Sequence, residues 1–523
     1  MIETLHYTTR LVKRWGESYL PDGRTLSQVL TLNGIPFWDA FAVELARVYV
    51  PAALSGDRVS SKISQMLRPY LSRAKHRLRD YVLNRYSTHG CFSWPTEHTF
   101  ICLGFIDYIY RDILQPVSSR LSEHPDVKVV SLSDKSWRKA NVYLHKNEVY
   151  QTIWEHWNQQ VVLQVSKLQQ ELCQIERKLY ISNILSDIIR DGDLCLWERL
   201  ESVFNRYFRF DLPFLVPQAV VAQHILENHR PALVFSPDVA DPRTRVYTLL
   251  CQQKNIPCIE IQFGLTGDEG IEWQYFSADK VVALGETSKK AMLIHGIPEE
   301  KIIITGSPRH DCMVNVPSSE VKSMRVKLGV PEKSAMILLA STYQLNAYDE
   351  YSSPELLRSM KRAVFEAADK TQGICLVVKP HPLEDVHETR ALAGKKKNII
   401  FVSQKIDIRE LTRVCDAFIS FGSTSTADAL ISGKLVICPT FPGWAWCDLF
   451  KNTGATLVPT SSVEVLELFR LISSSAYEDV KAKLEPARQD FLSHWVYRAD
   501  GLAASRVTAV ALQMAQINSG TAY

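Results

Sequence analysis

From residue 280 onward the sequence repeats one unit: a short apolar run rich in β-branched residues, then an amphipathic stretch. The runs are KVVAL (280–284), KIIIT (301–305), AMILLA (335–340), CLVVK (375–379), IIFV (399–402), AFIS (417–420), LVICP (435–439) and TLVP (456–459). Helical patterns such as PELLRSMKRAVFEAADK and DIRELTRVC lie between most of them. Strands too apolar to alternate must be covered on both faces, and helical crossovers supply that cover. The pattern predicts a doubly wound α/β domain over 280–480.

A weaker copy lies upstream. FICLGF (100–105) precedes the helix-like YIYRDILQPVSSRL and then KVVSL (128–132), while ALVFSP (232–237) leads through RTRVYTLLCQQK to CIEIQ (258–262). This reads as a second Rossmann-like domain over 96–279 with a mostly helical insertion at about 140–230. In the insertion, Trp157, Val161, Val165, Leu168, Leu172, Ile175 and Leu179 recur at spacings of three and four. They form one face of a long helix that packs inside the chain, since the heptads are too few for a coiled coil between chains. Residues 1–95 read as a helical N-terminal region, and 481–523 as C-terminal helices packing back across the domains. The expected class is α/β, with two Rossmann-like domains facing a cleft; 523 residues exceed one ordinary core.

In an open parallel sheet, ligands sit beyond the carboxyl ends of the strands. Leu376-Val-Val-Lys-Pro-His-Pro382 is such an end. Proline fixes its own φ and restricts the residue before it, so Lys379 and His381, each followed by proline, have little backbone freedom. The loop is rigid and cationic, and suits a phosphate. Ser420-Phe-Gly-Ser-Thr-Ser-Thr426 follows another strand and opens a helix, where unpaired N–H groups and the positive end of the dipole favour an anion. Gly422 allows close backbone approach, and Ser423, Thr424 and Ser425 can cap the helix or bond phosphate oxygens. Ser341 and Thr342 end a third strand with more hydroxyls. The serine-rich loop is neither a Walker A nor a G-x-G-x-x-G sequence, which weakens ATPase and dinucleotide readings.

The formal net charge of +3 is close to neutral for this length and argues against a dedicated nucleic-acid binder. Eleven cysteines are scattered without a C-x-x-C pair, the usage of a cytosolic protein with reduced thiols rather than of disulfides or zinc. The N-terminus lacks a signal-peptide apolar core, and no stretch is a credible membrane span. Ile63, Leu67, Leu71, Ala74, Leu78 and Val82 share one side of a helix over 62–85 whose remainder is rich in Lys and Arg. Such a helix can lie on an anionic membrane surface, which leaves peripheral association with the inner face of the cytoplasmic membrane open. Its plainer reading is a helix packed on its own protein with solvated charges.

The order KxHP, strand, helix, strand, then SFGSTSTADAL resembles GT-B glycosyltransferases of bacterial surface-polysaccharide synthesis. Closely similar patterns occur in capsule Kdo- and sialyl-type transferases and in teichoic-acid polyol-phosphate transferases; UDP-N-acetylglucosamine 2-epimerases share the architecture more distantly. Ala283-Leu-Gly-Glu286, Ile304-Thr-Gly-Ser-Pro-Arg309 with Asp311, and Asp500-Gly-Leu-Ala-Ala-Ser-Arg506 also match, and the resemblance covers roughly 230–510. It implies that His381 contacts the donor phosphate and protonates the leaving group. Lys379, Ser341, Thr342, Gly422, Ser423, Thr424, Ser425, Gly306, Arg309 and Glu286 are then candidates for donor or phosphate binding. Relatives often carry Gln-His-Gly after the last strand of the first domain; this chain has Gln262-Phe263-Gly264, so that histidine's role has no bearer here.

The implied reaction attacks a nucleotide-activated sugar, from a CMP-, UDP- or GDP-linked donor, with a hydroxyl of a glycan or lipid-linked acceptor. The donor is a substrate and no cofactor is expected; no DxD follows a strand, so a metal-independent site is the expectation. Deprotonating the acceptor needs a base, and Asp238 in FSPDVADPRTR is the candidate. Asp241, Arg243, Asp107 and Gln262 complete the acceptor side, although Asp238 or Asp241 is equally a helix cap and Arg243 a solvated helix-start residue. The alternatives are a CDP-polyol phosphotransferase, a 2-epimerase and a non-catalytic polysaccharide-binding or export protein.

Overall fold

The computed structural model describes residues 2–56, 94, 98–138, 142–265, 270–314, 317–343, 353–444 and 448–517. The basic helix expected over 62–85 lies outside the described residues. The chain forms two compact units: residues 1–283, 288–303 and 504–523, and residues 284–287 and 304–503.

The first unit holds strands β1 (Thr99–Leu103), β2 (Lys128–Ser133), β3 (Val149–Thr152), β4 (Leu233–Ser236), β5 (Cys258–Ile261), β6 (Lys280–Ala283) and β7 (Ile302–Ile304), in the order β7-β6-β5-β4-β1-β2-β3. The pairs from β6 to β3 are parallel. Alternate residues face opposite cores: Ile101, Leu103, Val234 and Cys258 lie in one cluster with the N-terminal and insertion helices. Phe100, Cys102, Leu233, Phe235, Ile259 and Ile261 lie in the other, with Ala504, Val507 and Ala511 of the C-terminal helix Ala503–Met514. Both faces are covered, which is why the strands read as unbroken apolar runs.

Two boundaries differ from expectation. The strands at 280–283 and 302–304 complete the first sheet instead of opening the second. A β–α–β repeat is the same on either side of a domain boundary, so the pattern does not say which sheet a strand joins. Within the insertion, Val149–Thr152 is an edge strand of that sheet, and the helices follow it. The long insertion helix, α1, runs Gln159–Ile181 from an Asn158 cap, with Val161, Val165, Leu168, Leu172 and Leu179 buried as the spacing predicts.

The second unit holds β8 (Ala335–Ala340), β9 (Ile374–Lys379), β10 (Ile399–Phe401), β11 (Ala417–Ser420) and β12 (Leu435–Ile437), parallel, in the order β10-β9-β8-β11-β12. The run at 456–459 contributes only a bridge from Leu457 to Ile437. Helix α2 (Pro354–Lys370) starts at Ser353, whose side chain accepts from the Leu356 N–H, with proline in the first turn. Its Leu357, Met360, Val364, Ala367 and Ala368 are buried at helical spacing.

Both sheets share one winding: two strands are added to one side of the first, then the chain returns to the first strand's other side. The switch point lies between β1 and β4 in the first sheet, and between β8 and β11 in the second. Among the described residues, no helix is long and apolar enough to cross a membrane.

Candidate active site

Register brings the two phosphate-suited loops together. Ala340, the last residue of β8, pairs with Lys379 on one side and with Ser420 on the other. The KPHP loop and the serine-rich turn therefore leave the same carboxyl edge, two strands apart, or about 10 Å. Ser341 and Thr342 lie between them, at the switch point.

The KPHP loop is held by a buried ion pair that the sequence did not announce. Glu384 Oε1 accepts from Lys361 Nζ at 2.5 Å, Ser341 Oγ at 2.7 Å and Thr389 Oγ1 at 2.6 Å. Its Oε2 accepts the His381 N–H at 2.9 Å, and Lys361 also donates to the Thr342 carbonyl at 2.7 Å. One carboxylate thus ties the β8 end, helix α2 and the loop together. The side chains of Lys361 and Glu384 are 6% and 3% exposed, so cutting one leaves the other charged and buried. Glu384→Ala is expected to lower stability by about 3–5 kcal/mol, readable by denaturant unfolding. A loss below about 1 kcal/mol would mean the pair is not the loop's anchor.

His381 stacks on Tyr343, with ring centroids 4.5 Å apart. Its Nδ1 accepts the Leu383 N–H at 3.2 Å, which leaves the neutral ring's proton on Nε2. Burial, then the Lys379 charge, lower its pKa against the pull of Glu384. His381 is thus a neutral N–H donor at neutral pH. Lys379 is buried, and its Nζ donates to the Pro380 carbonyl at 3.0 Å.

In the serine-rich turn, Ser420 Oγ accepts from the Gly422 and Ser423 N–H groups, and Gly422 has φ +108°, which favours glycine. The helix it opens, α3, is Ser425–Ile431, with Thr424 as its cap residue. The expectation of unpaired helix-start amides is corrected: the N–H groups of Ser425, Thr426 and Ala427 find acceptors on Ser423 and Thr424. Thr424 makes no side-chain capping bond. Ser425, buried, donates its hydroxyl to Ser423 Oγ at 2.9 Å, so Ser423, which is exposed, is free to direct its own proton outward. The turn presents hydroxyls rather than amides.

Arg309 is held by a carboxylate. It makes a forked pair with Asp428 of α3, Nε to Oδ1 at 3.1 Å and Nη2 to Oδ2 at 2.5 Å, and Asp428 is fully buried. Burial lowers the pKa of neighbouring His310 to about 4, leaving it neutral. Gly306 (φ +77°) turns the chain toward this tie, and Asp311 Oδ1 accepts the Ala503 N–H at 2.9 Å, joining two of the shared motifs. Glu286 is exposed at the start of helix Glu286–Ile294. A Cβ on preceding Gly285 would meet backbone of His494 and Trp495 at 2.6–2.8 Å, so that motif's glycine permits close approach.

In the first unit, Asp107 follows β1 and Asp238 follows β4, on the two strands that flank the switch point. Asp107 pairs with Lys135 at 2.7 Å. Asp241 is the cap of helix α4 (Pro242–Lys254 in the first unit), its Oδ1 accepting the Arg243 N–H at 2.8 Å. Arg243 is not simply solvated: it is paired with Asp241 at 2.6 Å and with Asp134 at 2.9 Å, over the Phe105 ring. Gln262 is buried, and its side chain donates to the Gly264 carbonyl at 2.9 Å, bracing the loop that leaves Phe263 exposed. Asp238 differs from these. One oxygen accepts the Ala240 N–H at 2.9 Å, and burial, then the Asp241 charge, raise its pKa to about 6. Glu260, an acid inside the apolar run CIEIQ, is buried in β5 opposite Ser236.

A family model described as CDP-Glycerol:Poly(glycerophosphate) glycerophosphotransferase matches residues 267–423, a span that contains Arg309, Lys379, His381 and Ser423. In structure the chain is similar to the wall teichoic acid polymerase TagF, at 13% identity with a TM-score of 0.51, over 87% of this chain and 99% of that one. It is similar also to S. aureus MnaA, solved in a co-structure with UDP, at 11% identity and a TM-score of 0.51, over 81% and 99% of the two chains. No curated protein matches in sequence. At these identities the likeness establishes fold alone: the chain has a GT-B-like fold.

Proposed function

We propose that this chain is a transferase that carries a glycosyl group from a nucleotide-activated sugar to a hydroxyl of a growing surface glycan or lipid-linked acceptor. The observation that carries the reading is the alignment of Lys379, Ala340 and Ser420 on one sheet edge, which sets a cationic loop and a hydroxyl turn around one anion. A leaving nucleotide phosphate is such an anion. Fixed donors aimed at developing charge act without reorganising, so Lys379, the His381 Nε2–H and the Ser423 and Thr424 hydroxyls stabilise it, and no metal is needed. Asp238 is the base that takes the acceptor proton.

One observation favours a second reading, transfer of a polyol phosphate from a CDP-linked donor: the glycerophosphotransferase family match over 267–423. The same loops would then hold the nucleotide phosphate while the acceptor attacks phosphorus. A thermal-shift screen over CMP-, CDP-, UDP- and GDP-linked compounds separates the two. The true donor at a hundred times its Kd is expected to stabilise the protein by about 2.7 kcal/mol. Stabilisation by CDP-glycerol or CDP-ribitol alone would replace the glycosyl reading with the second. Absence of a shift with every compound would remove both.

A further inference from the structure

The His381 ring has two supports. Its Nδ1 accepts the Leu383 N–H at 3.2 Å, and its face lies on Tyr343, with ring centroids 4.5 Å apart and planes 30° from parallel. Tyr343 stands just past the end of β8 and His381 just past the end of β9, neighbouring strands of one sheet. Both residues are half-buried, so the pair stays reachable from solvent.

The two backbones are tied before the rings meet. The Ser341 N–H donates to the Lys379 carbonyl at 3.0 Å, and Lys361 Nζ to the Thr342 carbonyl at 2.7 Å. The His381 N–H donates to Glu384 Oε2 at 2.9 Å, and its carbonyl accepts from Gln404 Nε2 at 2.6 Å. Pro380 and Pro382 restrict the chain on either side of it. The stack is therefore made between two fixed supports, and the side-chain torsions are the freedom that remains.

An imidazole that must aim an N–H needs its plane fixed as well as one direction within the plane. The last torsion of histidine is broad and roughly two-fold. The Leu383 bond chooses between the two flips, since only Nδ1 can accept it. At 3.2 Å it lies at the long end of the usual range, and it leaves the ring room to tilt. A second ring laid on the face removes the tilt, because aromatic neighbours hold a preferred separation and angle. Together the two contacts set where Nε2–H points. The flat face of Tyr343 does this, and its hydroxyl is not required.

We propose that Tyr343 is a positioning residue for His381: its ring holds the imidazole plane so that Nε2–H is aimed at the anion bound by the KPHP loop and the serine-rich turn. This rests on His381 donating to the leaving phosphate. Tyr343 acts through His381 and not on the donor.

Nitrogen NMR of histidine-labelled intact protein, without donor and at mildly alkaline pH, reads the ring directly, the His381 signals being assigned by their loss in His381→Gln. The parent is expected to show one tautomer, with the proton on Nε2, and Tyr343→Phe to keep it. Tyr343→Ala is expected to move both ring nitrogens toward the averaged values of a free imidazole. Parent-like nitrogens in Tyr343→Ala, or a parent ring protonated on Nδ1, overturn the proposal. In turnover, Tyr343→Phe is expected to stay within about twofold of the parent, while Tyr343→Ala lowers kcat by about tenfold or more with the donor KM little changed. The double variant separates the roles: added to His381→Ala, Tyr343→Ala is expected to cost nothing further. A full additional loss there would mean that Tyr343 meets the donor itself or merely supports the fold, and would overturn the proposal. So would an equal loss in Tyr343→Phe, which would make the hydroxyl responsible. Should Tyr343→Ala not fold, Tyr343→Leu, which keeps bulk but has no flat face, is read in the same way. If no nucleotide-linked donor is turned over, the transferase reading fails while the NMR result still decides whether Tyr343 holds His381.

Discussion

His381→Ala is expected to lower turnover on the nucleotide-activated donor by about a hundredfold or more, as loss of one donor to a developing oxyanion does elsewhere. The geometry makes this a hydrogen-bond effect rather than an acid effect. Nδ1 is occupied by the Leu383 N–H, and burial and the Lys379 charge hold the ring neutral, so its functional atom is the Nε2–H. The reading that His381 protonates the leaving group is narrowed accordingly: the ring lends a hydrogen bond and keeps its proton. The sign of the pH dependence follows. A histidine whose folded pKa lies below its ordinary 6.5 gives up its proton at a lower pH than a free imidazole, so it does not change state as the pH rises through neutrality. The rate is expected to show no fall there that His381→Ala abolishes. His381→Gln restores a neutral donor and is expected to recover part of the loss. Unchanged turnover in a folded His381→Ala protein would remove the residue from the mechanism. A wild-type rate that collapses as an ordinary imidazolium deprotonates would restore it as an acid.

Asp238→Asn is expected to abolish transfer, by about 10²–10⁴-fold, while donor binding is retained. A general base works deprotonated, so the parent's rate is expected to fall about tenfold per unit as pH drops below a midpoint of about 6. A carboxyl whose folded pKa is raised contributes stability at low pH that is lost as pH rises through the folded value. Above about pH 6 the asparagine variant is therefore expected to be at least as stable as the parent, a point that thermal unfolding checks. Loss of donor binding in Asp238→Asn would reassign the residue to the donor site.

The order of strands and helices was legible because it is written in local periodicity: apolar runs at β8, β9 and β11, and a helix over 354–370 with its serine cap and proline start. The KPHP and serine-rich loops were legible for a similar reason, since proline, lysine and hydroxyls after a strand carry their chemistry with them. The roles of Arg309 and Arg243 were not. An arginine in a motif looks alike whether it meets a ligand or a carboxylate, and the carboxylate of Arg309 lies 119 positions away. Glu384 and Lys361 gave no signal, because a charged pair on a helix and a loop is indistinguishable from two solvated residues until burial is known.

What the sequence determined alone was therefore the kind of sheet, two rounds of parallel strands crossed by helices, and which strand ends are dressed for an anion; both follow from neighbouring residues. What the tertiary structure decided was which sheet received the strands at 280–283 and 302–304, and which charges cancel one another. Those depend on distance and desolvation, and folding sets both between residues far apart along the chain.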